Sequence, residues 1–202
     1  MCRRPHWCPL SLGGAQTNDK NSGPAEAKTV DREGLGRSRG GLSTKIHLAA
    51  DLRCRPVARV TTAGQRHDSL AFEAVMGDLV VLQTGRRARR RPDRVLADKA
   101  YSSKQIRAHL RRRGIKATIP EPSTQQDGRA RRGSKGGRPP SFDAATYKQR
   151  NVVERAINKL RITRAVATRY DKREFIYQGT IDVASIRIWL RDPVENHPRD
   201  TP

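Results

Sequence analysis

Two carboxylates stand apart in a chain crowded with cations. Asp98 closes the short apolar run at residues 95–97, and Glu154 lies inside YKQRNVVERAINKLR, residues 147–161. A pair of hard oxygen ligands held by packed elements can bind Mg²⁺ or Mn²⁺ beside phosphate groups that complete its shell, and two such ions activate an attacking oxygen and stabilise a leaving one. Glu154 also has a simpler role within reach. Arg150 precedes it by four residues, the spacing of a helical ion pair. Spacing alone leaves both roles open.

The elements that must position these side chains follow from pattern. Asp143 is suited to cap a helix starting near Ala144, with Phe142 and Tyr147 as a hydrophobic staple across the cap. At about 100° per residue, Tyr147, Arg150, Glu154 and Arg161 share one polar stripe about 60° wide. Val153, Ala156, Ile157 and Leu160 fall beside that stripe, so Glu154 sits at the edge of the buried face. Upstream, Ile46 and Leu48 alternate with polar residues, DLRCRP supplies a turn, and VARVTT is a β-branched run, which together predict a hairpin. HDSLAFEAVMGDLVVL changes to a helical period, with Asp68 or Ser69 as its cap. VLAD then reads as a buried strand ending at Asp98, followed by a helix over KQIRAHLRRRG capped by Ser102 or Ser103 and stopped by Gly114, and by a strand at IKATIP. Trp189 belongs to the buried face of a closing helix.

Composition limits the partners. With 42 Lys and Arg against 20 Asp and Glu the net charge is 42 − 20 = +22 in 202 residues, which points to a polyanion. No run of about eighteen apolar residues is present, and the first residues hold no apolar stretch suited to a signal peptide, so an intracellular, non-membrane protein is expected. Cys2, Cys8 and Cys54 are too few for a disulfide framework, and Cys2, His6 and Cys8 lack the spacing of a zinc site. Residues 1–40 carry no period and are expected to be irregular; 41–192 form the folded core, 120–141 a mobile cationic loop that contacts phosphates, and 193–202 a disordered tail.

Four ordered segments, GRSRGGLSTKIHLAAD, TAGQRHDS, RVLADKAYSS and RNVVERAINKLR followed by ATRYDK, resemble the corresponding parts of bacterial insertion-sequence transposases of the DDE class, in the group named after insertion sequence five. The resemblance runs from about Gly34 to Leu190. It implies a ribonuclease-H-like α/β fold, a mixed sheet with flanking helices, whose three acidic residues bind two Mg²⁺ (or Mn²⁺) ions, cut double-stranded DNA at element ends and join it to a target. Asp98 matches the second acid and Glu154 the third, so both are expected to be catalytic and metal-binding. Tyr147, Arg150 and Glu154 match a YxxRxxxE signature as DNA-binding or accessory residues, and Arg161 stands where a lysine is usual. It also implies action as a homodimer on DNA in the bacterial cytoplasm, at the nucleoid. The first aspartate, on the first strand of such sheets, is not matched. The chain is therefore expected to lack that strand, to be frame-shifted or mis-started near Met1, and to be catalytically defective. The competing class is a non-catalytic basic nucleic-acid-binding protein in which Asp98 and Glu154 are ordinary structural acids.

Overall fold

Leu10–Asp19 run as a strand, β1, through the middle of a mixed sheet in the computed structural model, which describes residues 10–19, 33–38, 41–83 and 86–191. β2 (Gly36–Ser38) and β4 (Pro56–Ala63) both pair antiparallel with β3 (Gly41–Ala50). β3 lies antiparallel to β1, with Ser11 opposite Ala50 and Asn18 opposite Ser43. On the other side of β1, β7 (Arg94–Ala97) runs parallel, placing Leu10 beside Val95 and Leu12 beside Ala97. β8 (Lys116–Thr118) extends the sheet parallel to β7, and β9 (Thr168–Arg169) pairs with the far end of β1. β5 (Val81–Gln83) and β6 (Arg86–Arg89) form a separate hairpin.

β1 corrects the expected irregular segment over 10–19 and β2 over 36–38, and β1 fills the place in the sheet where a missing first strand was expected; residues 1–9, 20–32 and 39–40 lie outside the described residues. LSLGGAQTND is a poor strand by propensity, with two glycines and few apolar residues. Pairing on both edges outweighs that, since strand preference depends on context more than on the residue itself. Gly13 shows why a side chain is missing there: a Cβ would lie 3.0 Å from Val153 Cγ1. A glycine inside a strand marks such a close approach. Cys2, His6, Cys8 and the expected tail 193–202 lie outside the described residues.

Helices cover both faces. α1 (Phe72–Gly77) and α2 (Lys104–Arg112) bury Phe72, Met76, Ile106 and Leu110 against Leu12, Ala49 and Val95. After α3 (Ser123–Ala130) and α4 (Ala144–Tyr147), α5 (Asn151–Arg161) packs with α7 (Glu174–Arg191) on the opposite face, joined by the short α6 (Arg164–Ala167). There Val153, Ile157 and Leu160 meet Ile46, Leu48, Tyr177 and Ile181. The caps follow side-chain chemistry: Ser103 accepts from the Ile106 N–H, and Gly114, at φ +64, takes the left-handed position that ends α2. At the start of the 3₁₀ turn Asp68–Ala71 the cap is His67, not Asp68 or Ser69; its Nδ1 accepts from the Ser69 N–H, and Asp68 turns to Lys45 Nζ at 2.9 Å.

Two further expectations change. The segment 120–141 contains α3 and a 3₁₀ turn at Gly133–Gly136, rather than loop alone. Polar bonds do what apolar burial does elsewhere: Arg129 forks onto Glu121 at 2.5 and 2.6 Å, and Gln125 Nε2 donates to the Ser102 carbonyl at 2.6 Å. Trp189 is 37% exposed, its Nε1 donating to the Pro56 carbonyl and its ring lying under the Arg55 guanidinium, because the α7 face that carries it reaches the rim of β4.

His47 on β3 generates a pH prediction. Its side chain is 1% exposed; Nε2 shares a hydrogen bond with Thr62 Oγ1 at 2.8 Å, and Nδ1 has no hydrogen-bond partner among the described residues. Burial pushes its pKa down to about 4, with Asp68 pulling the other way. The unfolded chain therefore binds the extra proton between pH about 6.5 and about 4, so stability rises with pH across that window and is lost as pH falls through it. The loss attributable to this group is about 3 kcal/mol. Urea midpoints measured across that range should slope upward with pH, and His47→Gln should flatten the slope.

Candidate active site

β7 carries Val95, Leu96 and Ala97 fully buried, and Asp98 emerges half-buried at its end. Asp98 caps the 3₁₀ turn Lys99–Tyr101, its Oδ1 accepting from the Lys99 N–H at 2.5 Å. Oδ2 has no protein partner among the described residues. Glu154 stands in the first turn of α5 with its side chain 53% exposed, and Arg150 donates to its Oε1. The ion pair that spacing leaves open is thus formed.

Tyr147 links the two acids. Burial pushes its phenol pKa up, Arg150 pulls it back, and the charges of Asp98 and Glu154 raise it further. The turn Lys148–Arg150, between Tyr147 and Glu154, lies against β1 and β7, so the fold sets Tyr147, Arg150 and Glu154 on the side of the sheet where β7 ends at Asp98, and both carboxylates act on the Tyr147 phenol. Their placement begins at Asp143, whose side chain accepts from the Thr146 N–H and caps α4, with the Phe142 and Tyr147 rings 5.2 Å apart. Arg94 Nη1 donates to Asp143 Oδ2 and to Thr118 Oγ1, both at 3.1 Å, and so ties that cap to β7 and β8.

A single helix from Ala144 to Arg161 is not what forms. Residues Lys148–Arg150 tighten into a 3₁₀ turn that lies against β1 and β7. None of the three is buried. At three residues per turn, positions i and i+3 eclipse, which puts Arg150 on the same side of the turn as Tyr147. Arg161 is not part of this group: it is exposed on the last turn of α5, about 10 Å along the axis from Glu154.

Sequence reasoning misses Gly13 and Arg94. With Leu12 beside Ala97, Gly13 is the β1 residue next to Asp98, on the face turned to α5. The two adjacent glycines in a stretch otherwise bounded by Leu12 and Gln16 are the signal that could have marked a strand under close approach. Among the described residues no three His, Cys, Asp or Glu side chains are grouped to hold a metal ion. Asp98 and Glu154 suit the oxygen chemistry of one Mg²⁺, but a pair of ions needs more carboxylate oxygens than these two supply.

A mixed sheet centred on β1, helices on both faces, and an acid at the end of the neighbouring parallel strand define a ribonuclease-H-like α/β protein. The family model for the transposase DDE domain matches residues 20–181, a span that includes Asp98, Tyr147, Arg150, Glu154 and Arg161, and the chain belongs to that family. Over 150 residues it is 27% identical to a Brucella ovis protein named as a transposase for insertion sequence element IS6501, which covers 74% of this chain and 100% of that relative. Its function accordingly lies in DNA transposition. No described helix is long and apolar enough to cross a membrane.

The juxtaposition is testable without activity. Because Asp98 and Glu154 both raise the Tyr147 pKa, Asp98→Asn combined with Glu154→Gln should lower it. Titrating ¹³Cζ-tyrosine resonances would read the change; an unmoved Tyr147 signal would mean the two acids do not share its surroundings.

Proposed function

We propose that this chain binds double-stranded DNA at the ends of a mobile element and that Asp98 and Glu154 are its catalytic carboxylates, bringing Mg²⁺ or Mn²⁺ to a scissile phosphate. The group named after insertion sequence five is the one whose motifs it shares. The observation that carries this reading is the meeting of a strand-end acid with an unengaged oxygen and a helix acid around one tyrosine, in a chain of net charge +22. When bound, the ion polarises phosphate oxygens and activates the attacking oxygen. Asp98 Oδ2 is positioned to take part without breaking an existing bond. Glu154 can offer Oε2 while Oε1 keeps Arg150, and a guanidinium set beside that carboxylate is a planar fork for a DNA phosphate.

Gly13 makes the site defective. The strand position beside Asp98, where a third carboxylate belongs, has no side chain and faces Val153. Two carboxylates hold metal weakly, so DNA cleavage is slow while DNA binding persists. The setting for such a protein is the bacterial cytoplasm, at the nucleoid. It acts as a homodimer: Ile176, Gly179, Val183, Ile186 and Leu190 recur along α7 at heptad spacing, and the four side chains are 46%, 68%, 57% and 81% exposed, a seam that a second copy of the same helix matches. The non-catalytic binder explains the charge equally well, but gives no reason for Tyr147 to gather both acids.

Three outcomes follow. Asp98→Asn with Glu154→Gln should weaken Mn²⁺ binding at least tenfold by calorimetry or electron paramagnetic resonance, and unchanged affinity would favour the non-catalytic binder. Gly13→Asp made together with Val153→Ala, which clears the Cβ approach, should tighten Mn²⁺ binding and raise cleavage of duplex DNA. Val183→Glu with Ile186→Glu should shift a sedimenting dimer to monomer while leaving the circular dichroism spectrum unchanged.

A further inference from the structure

A second charged feature lies away from the acid pair. Between α2 and α3, with the turn that follows α3, there is a cleft of about 570 Å³. One wall is α2, with Lys104, Arg107 and Arg111 at i, i+3 and i+7, a single face about 10 Å long. Arg129, Arg132 and Arg138 line the other side. Glu121 is the one acid among the lining residues, and the Arg129 fork both occupies it and holds its pKa below the usual carboxylate range. Six cations therefore face one neutralised carboxylate.

The cleft is built, not a chance meeting of surface charges. Arg107 is half-buried, with Nη2 donating to Ser102 Oγ at 2.8 Å and to the Ile119 carbonyl at 2.9 Å. Its Nε and Nη1 have no partner among the described residues. Desolvation presses against that charge, and an anion in the cleft relieves the cost. Gln125 holds α3 to the start of α2 by bonds to both Ser102 oxygens, and Gly136 allows Arg129 to pass: a Cβ there would lie 2.3 Å from the Arg129 carbonyl oxygen. Ala108 and Pro140 are the only apolar lining side chains, so neither an apolar ligand nor an amphipathic helix fits.

We propose that this cleft is a phosphate-backbone clamp for duplex DNA, separate from the acid pair. The length of the α2 wall exceeds a single phosphate and matches about three successive phosphates of one strand at about 3.4 Å of axis each. It opens at Ser102, at the end of the turn that Asp98 caps, and runs away from there along α2. DNA held here lies beyond the acid pair and is fixed in register by contacts that carry no sequence information. The proposal rests on the reading of the chain as a DNA-binding transposase, but not on its metal chemistry.

The test is fluorescence anisotropy of the full chain with a labelled duplex across a KCl series. Arg111, Arg132 and Arg138 are all exposed and are substituted by Gln together; a control of equal charge carries Arg37→Gln, Arg164→Gln and Lys172→Gln, also exposed. Each lost phosphate contact lowers the slope of log affinity against log salt by about 0.9, so the cleft variant should lose about 2–3 units of slope and the control well under 1. Matching circular dichroism and urea midpoints confirm that both fold. Equal losses in the two variants mean diffuse charge and overturn the clamp. No loss in the cleft variant overturns it while DNA binding stands. Failure of the parent chain to bind duplex at all overturns clamp and DNA reading together, and displacement by polyglutamate as readily as by unlabelled duplex points to an acidic protein instead and also overturns it.

Discussion

The pairing of β1 between β3 and β7 is the constraint on which the rest depends. It closes two strand edges that would otherwise expose unpaired backbone groups, and it sets the parallel register that carries Asp98 to the edge of the sheet beneath α5. It also divides the core. Leu12 enters the apolar layer under α1 and α2, while Gly13, the next residue, admits Val153 from the opposite layer. A Cβ at Gly13 would press on Val153, so the close approach of α5 to β1 depends on that missing side chain.

Electrostatics then decide which carboxylates are available. Asp51 is matched by Arg55, Asp68 by Lys45, Glu121 by Arg129, Asp143 by Arg94 and Asp182 by Arg59. In a chain with this surplus of cations such pairing is the ordinary fate of an acid. Asp98 is among the acids outside that pattern: its partner is a backbone N–H, and no lysine or arginine bridges it among the described residues. Strand geometry explains that, since the residue closing a buried strand is bordered by apolar neighbours and by the turn it caps. Glu154 is the opposite case, an exposed acid held by an exposed ion pair of small net worth, which a stronger cation can displace.

Much of this was legible because periodicity and capping are local. The β3–β4 hairpin, the strand ending at Asp98, the Ser103 cap, the Gly114 stop, the Asp143 cap and the Phe142–Tyr147 staple all follow from residues a few positions apart. β1 was not legible, because its reasons to be a strand lie in β3, β7 and Val153, distant in sequence. The same holds for α3, which buries no residue and is kept by the Glu121 fork and the Ser102 bonds, and for Arg94, whose part in placing Tyr147 needs both Thr118 and Asp143. The tightened turn at 148–150 escaped because side-chain spacing reports a helix without reporting its pitch.

The glutamate amid arginines in YKQRNVVERAINKLR has a physical reason. Val152 and Val153, fully or nearly buried, fix the rotation of α5, and Glu154 follows at the rim of that face. Arg150, one turn earlier, donates to its Oε1 and matches its charge. The rim position, set by Val152 and Val153 and matched by Arg150 one turn earlier, accounts for the glutamate amid arginines as an element of the fold.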